Sequence, residues 1–285
     1  MSNTGSTPYG TLPTNLPPPT RRPVSLPRLQ EMRDRGEKIT MLTAYDATFA
    51  AVADAAGIDC ILVGDSLGMV VQGHTSTLPV SLEDIRYHTA CVARAAPSSM
   101  IIADMPFASY QVSPEQAFQN AAVLMQAGAQ MVKLEGGAWL APTVAFLTQR
   151  GIPVCAHLGL TPQSVHTLGG YMVQGRGAAG DALISDAKQL EQAGAEIVLV
   201  ELIPSPLAAR LTASLTAPTI GIGAGPDVTG QVLVVYDILN VTPGRKARFV
   251  KNYLALTGDI QAAISLFVSE VKSGAYPGPE HGFES

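Results

Sequence analysis

The stretch Cys60-Ile-Leu-Val-Gly-Asp65-Ser-Leu-Gly68 decides how the rest of the chain is read. Its four apolar residues are too short a run for a helix and read as a strand buried on both faces, the habit of parallel sheets. A carboxylate then stands at the strand's C-terminal end, where the chain turns out of the core. The same event recurs: Met100-Ile-Ile-Ala runs into Asp104, Gln130-Met-Val-Lys-Leu into Glu135, and Glu196-Ile-Val-Leu-Val into Glu201. Four apolar strands that each deliver an acid at the same end predict a cup of carboxylates on one rim of a parallel barrel.

Working outward, the segments between these strands carry helix signals. Asp46 caps a helix that ends at Gly57, Ser81-Leu-Glu-Asp84 opens one that Pro97 stops, and Ser113-Pro-Glu-Gln116 opens another that ends at Gly128. Further helices are expected over Leu26–Arg35, Trp139–Arg150, Asp181–Ala193, Pro204–Leu215 and Arg248–Val271. The remaining strands are expected at Ile39–Ala44, Ile152–Ala156, Thr219–Ile222 and Val232–Tyr236. Eight strands alternating with helices, joined by short turns of the Ala-Gly-Ile58 and Ala-Gly-Ala129 type, predict an α/β fold, a (β/α)8 TIM barrel. A doubly wound open sheet shares the alternation and stays open at this point. The N-terminal helix precedes the first strand and is expected to plug the barrel floor. Residues 1–26, rich in Pro, Thr, Ser and Gly, read as a disordered tail in which Arg21 and Arg22 are solvated. Residues 27–285 are expected to form the barrel domain. The segment from His157 to Gly180 holds few strand or helix signals and reads as a binding loop.

Composition narrows the function. The chain has 285 residues, 47% hydrophobic and 14% charged, with a net charge of −5. An average soluble domain is about 25% charged, so part of the surface is expected to face copies of the same chain. No block of Lys or Arg offers a nucleic-acid footprint, and no apolar run approaches the ~18 residues that span a bilayer. The three cysteines, Cys60, Cys91 and Cys155, have no zinc spacing and fit core packing in a reducing cytosol.

Strand side chains alternate, so Lys133 and Glu135 share a face. The same parity pairs Val63 with Asp65, Ile102 with Asp104, Cys155 with His157 and Leu199 with Glu201. Several carboxylates on a dry rim repel one another, and a hard cation relieves this; oxygen ligands favour Mg2+ over zinc. Lys133 is suited to a substrate carboxylate, and an acid left free of the metal to general-base work. Each feature has a plainer reading: an Asp at a strand end can cap a helix, Lys133 can pair with a neighbouring acid, and His157 can be structural. Gly221-Ile-Gly-Ala-Gly225 fits either a phosphate grip or a tight backbone approach. The residues by themselves reach as far as metal-assisted enolisation.

The strings Thr43-Ala-Tyr-Asp46, Leu62-Val-Gly-Asp-Ser-Leu-Gly-Met69, Ala103-Asp-Met-Pro-Phe107, Val132-Lys-Leu-Glu-Gly-Gly137 and His157-Leu-Gly-Leu-Thr-Pro-Gln-Ser164 together resemble the ketopantoate hydroxymethyltransferase family. Gly169-Gly-Tyr171 and Val173-Gln-Gly-Arg176 continue the likeness, which runs from about residue 27 to the C-terminus. The resemblance implies a cytoplasmic homodecamer. It implies transfer of a hydroxymethyl group from 5,10-methylenetetrahydrofolate to 3-methyl-2-oxobutanoate, giving 2-dehydropantoate for pantothenate. By motif position it implies Asp65, Asp104 and Glu135 as Mg2+ ligands. Asp65, Ser66, Asp104 and Lys133 correspond to the 2-oxo acid site and Glu201 to the catalytic base. His166, Met172 and Thr229 depart from the family pattern in what are expected to be mouth loops. The phosphoenolpyruvate mutase and isocitrate lyase superfamily, which shares such a barrel, makes a C–C lyase the nearest alternative, and a non-catalytic barrel a more distant one.

Overall fold

The structure, a computed structural model, describes residues 21–244 and 246–284. In chain order the elements are α1 (Leu26–Asp34), β1 (Ile39–Thr43), α2 (Ala47–Ala55), β2 (Cys60–Val63), α3 (Leu67–Val70), α4 (Leu82–Ala93), β3 (Met100–Asp104) and α5 (Pro114–Gln126). They continue with β4 (Met131–Glu135), α6 (Ala141–Thr148), β5 (Val154–Gly159), α7 (Val165–Leu168), α8 (Ala178–Gln192), β6 (Ile197–Glu201) and α9 (Ser205–Ala213). The last are β7 (Thr219–Ile222), β8 (Gly230–Leu233), α10 (Val235–Ile238), α11 (Leu254–Thr257) and α12 (Ile260–Ser273). Each strand pairs in parallel with the next, and β8 closes on β1. The fold is a (β/α)8 barrel, and the open-sheet alternative falls.

Strand alternation divides the apolar residues into two cores. Met41, Cys60, Leu62, Ile102, Met131 and Leu199 point into the barrel with their neighbours. Leu42, Ile61, Val63, Val132, Val198 and their neighbours point outward beneath the helices. Leu29 and Met32 of α1 are each 1% exposed and pack into the inner core from below, as a plug. A Leu→Ala change at such a site costs about 2–5 kcal/mol. Helix starts follow the caps: Asp46 accepts the Thr48 and Phe49 N–H groups, and Ser81 with Asp84 forms a full capping box.

Several boundaries differ from the sequence reading. β8 occupies Gly230–Leu233, and Tyr236 belongs to α10. An unbroken Val-rich run carries no register, and Gly230 reads as loop. Yet a side chain at Gly230 would strike the Ile39 carbonyl, so the close β1–β8 approach itself requires glycine there. β5 runs on to Gly159, which makes His157 a strand residue, and the following segment contains α7 instead of being structureless. The final helical region splits into α11 and α12 at Gly258, where φ is +71°.

Of the expected tail, residues 1–20 lie outside the described residues. Arg21 is not solvated: it bonds the Ile58 carbonyl and Ser99 Oγ (3.0 Å) and faces Asp54 at 3.5 Å. The Val24 N–H donates to the Ser98 carbonyl at 2.8 Å. All three cysteines are free, with Cys60 and Cys155 buried in the barrel. No described helix is long and apolar enough to cross a membrane.

Candidate active site

Three of the four acids arrive as sequence parity requires. Asp104 and Glu135 end β3 and β4 on inward positions, and Glu201 ends β6. Asp65 arrives differently. Leu62, not Val63, is the inward residue of β2. The strand stops at Val63, and a turn through Gly64 swings Asp65 back over the barrel. Alternation holds only while the chain stays paired, which is why parity misassigns Val63. A side chain at Gly64 would come within 2.9 Å of Ser66 Oγ and 3.5 Å of Asp104 Oδ2, so the turn is tight against the site.

All four acids line one cavity of about 620 Å³ at the C-terminal mouth of the barrel, with Lys133, Ser66 and His157. Asp65, Asp104, Lys133, Glu135 and His157 are each less than 5% exposed. Lys133 Nζ lies 2.8 Å from Asp104 Oδ1 and 3.3 Å from Glu135 Oε1. His157 reaches Glu135 Oε1 through Nδ1 at 3.3 Å and Glu201 Oε2 through Nε2 at 3.4 Å, neither contact being aligned as a hydrogen bond. The Asp65 N–H donates to Asp104 Oδ2 at 2.9 Å. Ser66 Oγ meets the Tyr45 hydroxyl at 2.8 Å.

Two residues that carry this floor escaped the sequence reading. Gln163 donates its N–H to Glu135 Oε2 (3.0 Å) and Nε2 to Asp65 Oδ2 (2.9 Å) and the Met105 carbonyl (3.0 Å). The Tyr110 hydroxyl accepts the Glu135 N–H at 3.1 Å and lies 2.7 Å from Gln163 Oε1, fixing which way the carboxamide faces. Their only signal was presence in the loops after strands, where barrel sites are built.

The charges follow from burial and neighbours. Burial disfavours the Lys133 ammonium, but Asp104, Glu135 and Asp65 outweigh it and hold its pKa well above the usual lysine range. Burial also works against the Glu135 charge, yet Lys133, His157 and the Gln163 N–H hold that carboxyl down at about 2. Burial pushes the Asp65 carboxyl well up, and Glu135 and Asp104 add to it. For His157, burial and Lys133 are overcome by Glu135 and Glu201, which lift it to about 9.

Could this set hold a metal? Among the described residues, no three His, Cys, Asp or Glu side chains are drawn close enough to hold an ion as they stand. Lys133 Nζ takes the central place, between Asp104 and Glu135. The chemistry of the set nonetheless fits a hard divalent cation. The donors of Asp65, Asp104 and Glu135 are all oxygens, and Asp104 Oδ1, buried 2.8 Å from the Lys133 ammonium, accepts no aligned hydrogen bond. Three acids also outnumber the one ammonium among them.

The residues that depart from the family pattern do not all lie at the mouth. Thr229 is at the opposite end of the barrel, where its N–H donates to Thr219 Oγ1 at 3.1 Å just before β8. The β7–β8 connection runs the length of the barrel, so its last residue is at the floor. Met172 is exposed beside Tyr171 and Val173, which do line the mouth, and His166 is exposed on α7. The Gly221–Gly225 stretch is a close-packing device: a side chain at Gly223 would stand 2.8 Å from Phe249 and 3.3 Å from Phe283.

A parallel eight-stranded barrel with a buried lysine among three acids at its C-terminal mouth defines an enzyme of the (β/α)8 class. A sequence profile described as ketopantoate hydroxymethyltransferase matches residues 23–279. The chain is 58% identical over 271 residues to 3-methyl-2-oxobutanoate hydroxymethyltransferase 1 of Burkholderia cenocepacia, covering 95% of this chain and 100% of that protein. It is 59% identical over 280 residues to 3-methyl-2-oxobutanoate hydroxymethyltransferase of Delftia acidovorans, covering 96% of each. The chain therefore belongs to the ketopantoate hydroxymethyltransferase family and is an enzyme. Among solved structures it is similar to phosphonopyruvate hydrolase in complex with oxalate and Mg2+, with a TM-score of 0.58 at 15% identity over 90% of this chain and 93% of that one. It is also similar to 2,3-dimethylmalate lyase, with a TM-score of 0.56 at 17% identity over 89% of each. At those identities the likeness concerns the barrel fold alone.

Proposed function

We propose that this enzyme transfers a hydroxymethyl group from 5,10-methylenetetrahydrofolate to the 2-oxo acid 3-methyl-2-oxobutanoate, giving 2-dehydropantoate. The observation that carries the reading is Lys133 held between Asp104 and Glu135 on a buried cavity floor, in a chain nearly coextensive with relatives of that name. Asp65, Asp104 and Glu135 would hold Mg2+, which when bound supplies Lewis-acid stabilisation of the charge that develops on the oxo acid. Lys133 and Ser66 receive the substrate carboxylate. Glu201, 15% exposed and nearer the open cavity than the other acids, removes the proton from C3. His157, between Glu201 and Glu135, fixes the direction in which Glu201 points. Water adds to the folate methylene carbon, its bonds to N10 and N5 break so that tetrahydrofolate leaves, and C3 bonds to the formaldehyde carbon so released, whose oxygen takes up the proton that Glu201 removed and becomes the hydroxyl.

General-base catalysis contributes roughly 10²–10⁴-fold, so Glu201→Gln should slow exchange of the substrate's C3 proton with D₂O by about that factor. Exchange at the native rate would remove Glu201 from its role. The same reading makes residues 27–285 one catalytic domain of a cytoplasmic homodecamer. Light scattering should return ten times the 29.7 kDa chain, and a monomer would refute the assembly.

A further inference from the structure

The cavity is far larger than a five-carbon oxo acid needs, and its chemistry changes with height. Above the acids its wall is apolar, with Tyr171, Leu202, Ile222, Phe249 and Phe283. Gly223 has a φ of +60° and no side chain, which lets the two phenyl rings close on the mouth. One carboxylate interrupts this upper wall. Asp237, on α10, borders the cavity half-buried, and its carboxylate has no hydrogen bond or ion pair among the described residues. Burial raises the Tyr45 phenol pKa, the Asp237 charge adds to that, and the Tyr45 hydroxyl in turn holds Ser66.

Two cations stand at the outer edge of the cavity. Arg248 is fixed by Nε donating to the Glu280 carbonyl at 2.8 Å, and its guanidinium stands 5.6 Å from the Phe283 ring centre. Lys246 lines the cavity two residues away. An unpartnered acid, an apolar slot and an edge of cations together suit one kind of molecule. It is flat, has adjacent N–H donors at one end, and ends in carboxylates at the other.

We propose that the stretch after β8 builds the subsite for the one-carbon donor. Asp237 accepts the 2-amino and N3–H donors of the reduced pterin, the ring lies against Phe249 and Phe283, and Lys246 with Arg248 faces the glutamate carboxylates. This assignment rests on the hydroxymethyl-transfer reading above.

The test is equilibrium binding to the full-length protein, saturated with Mg2+ and 3-methyl-2-oxobutanoate. The probes are tetrahydrofolate, tetrahydropteroate (which lacks the glutamate) and tri-γ-glutamyl tetrahydrofolate. Asp237→Asn should weaken all three by about tenfold or more, the size expected for a charge-assisted bond. The Lys246→Ala/Arg248→Ala pair should weaken tetrahydrofolate by about two- to fivefold and the triglutamate further, with tetrahydropteroate unmoved. If Asp237→Asn does not fold, the native protein decides through the probe series: affinity should rise with each glutamate and that rise should shrink with salt. Native affinity in Asp237→Asn, or in the native protein a triglutamate held no tighter than tetrahydropteroate, overturns the subsite while leaving the donor in place. A native protein that binds none of the three overturns the donor and the subsite together.

Discussion

Gln163 binds two of the three proposed metal ligands at once: Glu135 through its backbone N–H and Asp65 through its carboxamide. Gln163→Leu keeps the backbone bond and removes the side-chain one. Asp65, already pushed toward its neutral form by burial and by Glu135 and Asp104, then loses a donor that favours its charge. A neutral Asp65 is a poor metal ligand. The expected outcome is about 10–100-fold weaker metal binding, read directly by titrating Mn2+ in an electron paramagnetic resonance assay. Unchanged binding would show that Asp65 needs no such support. At this scale the sequence was informative wherever side chains lie on paired strands. Lys133 and Glu135 share a face because they are two apart, and the structure joins them at 3.3 Å. It was silent on Gln163 and Tyr110, an amide and a phenol with no charge pattern, delivered from loops after different strands. It also misled at Val63, one residue before a turn that changes the period.

The element that sets the base is the β5–β6 pair. Gly159 ends β5 opposite Glu201, with a φ of +88°. A side chain there would overlap the Glu201 carbonyl and stand 2.8 Å from Ile203 Cγ2. The Leu160 N–H donates to that same carbonyl at 2.8 Å, so β5 holds the end of β6 directly. On the other side Leu202, a non-glycine residue at a φ of +44°, is pinned by its N–H to the Ile222 carbonyl at 2.9 Å and by its carbonyl to the Gln174 N–H at 2.8 Å. Such backbone strain persists where surroundings over-determine it, often at functional sites. Gly159→Ala should displace Glu201 and lower kcat by about 10²-fold, since a shift near 1 Å has that effect. It should also destabilise the fold by about 1–3 kcal/mol. Steady-state kinetics with urea denaturation checks both, and a fully active variant would mean that the β6 end is not held from β5. Glycine at 159 reads from sequence as an ordinary loop breaker, so β5 was drawn to end at Ala156. A close approach between backbones leaves no trace in the residues until the register is known.

Across the whole molecule, chemistry and closure occupy opposite ends of the barrel. At the floor the buried Asp59 accepts the Thr40 N–H and hydroxyl at 2.9 and 2.8 Å. Lys272 Nζ, from α12, reaches Asp59 Oδ2 at 2.7 Å and Glu37 Oε1 at 3.3 Å, while Arg21 stands 3.9 Å from Asp59 Oδ1. These contacts tie both ends of the described chain to the β1–β2 edge of the barrel. The order of elements predicted the α1 plug, a helix ahead of the first strand, but not this clasp, in which Lys272 and Asp59 stand more than two hundred residues apart. Removing the cation leaves a buried carboxylate with the Thr40 donors and a distant arginine. Lys272 is itself 26% exposed, which tempers the loss to about 1–2 kcal/mol. Lys272→Met should therefore lower the denaturation midpoint at fixed protein concentration while kcat and both KM values stay at native levels, because among the described residues no hydrogen bond or ion pair links the clasp to Glu201 or Lys133. A matching fall in kcat well below the new midpoint would show that the barrel transmits strain from floor to mouth, and the separation of the two ends would be lost.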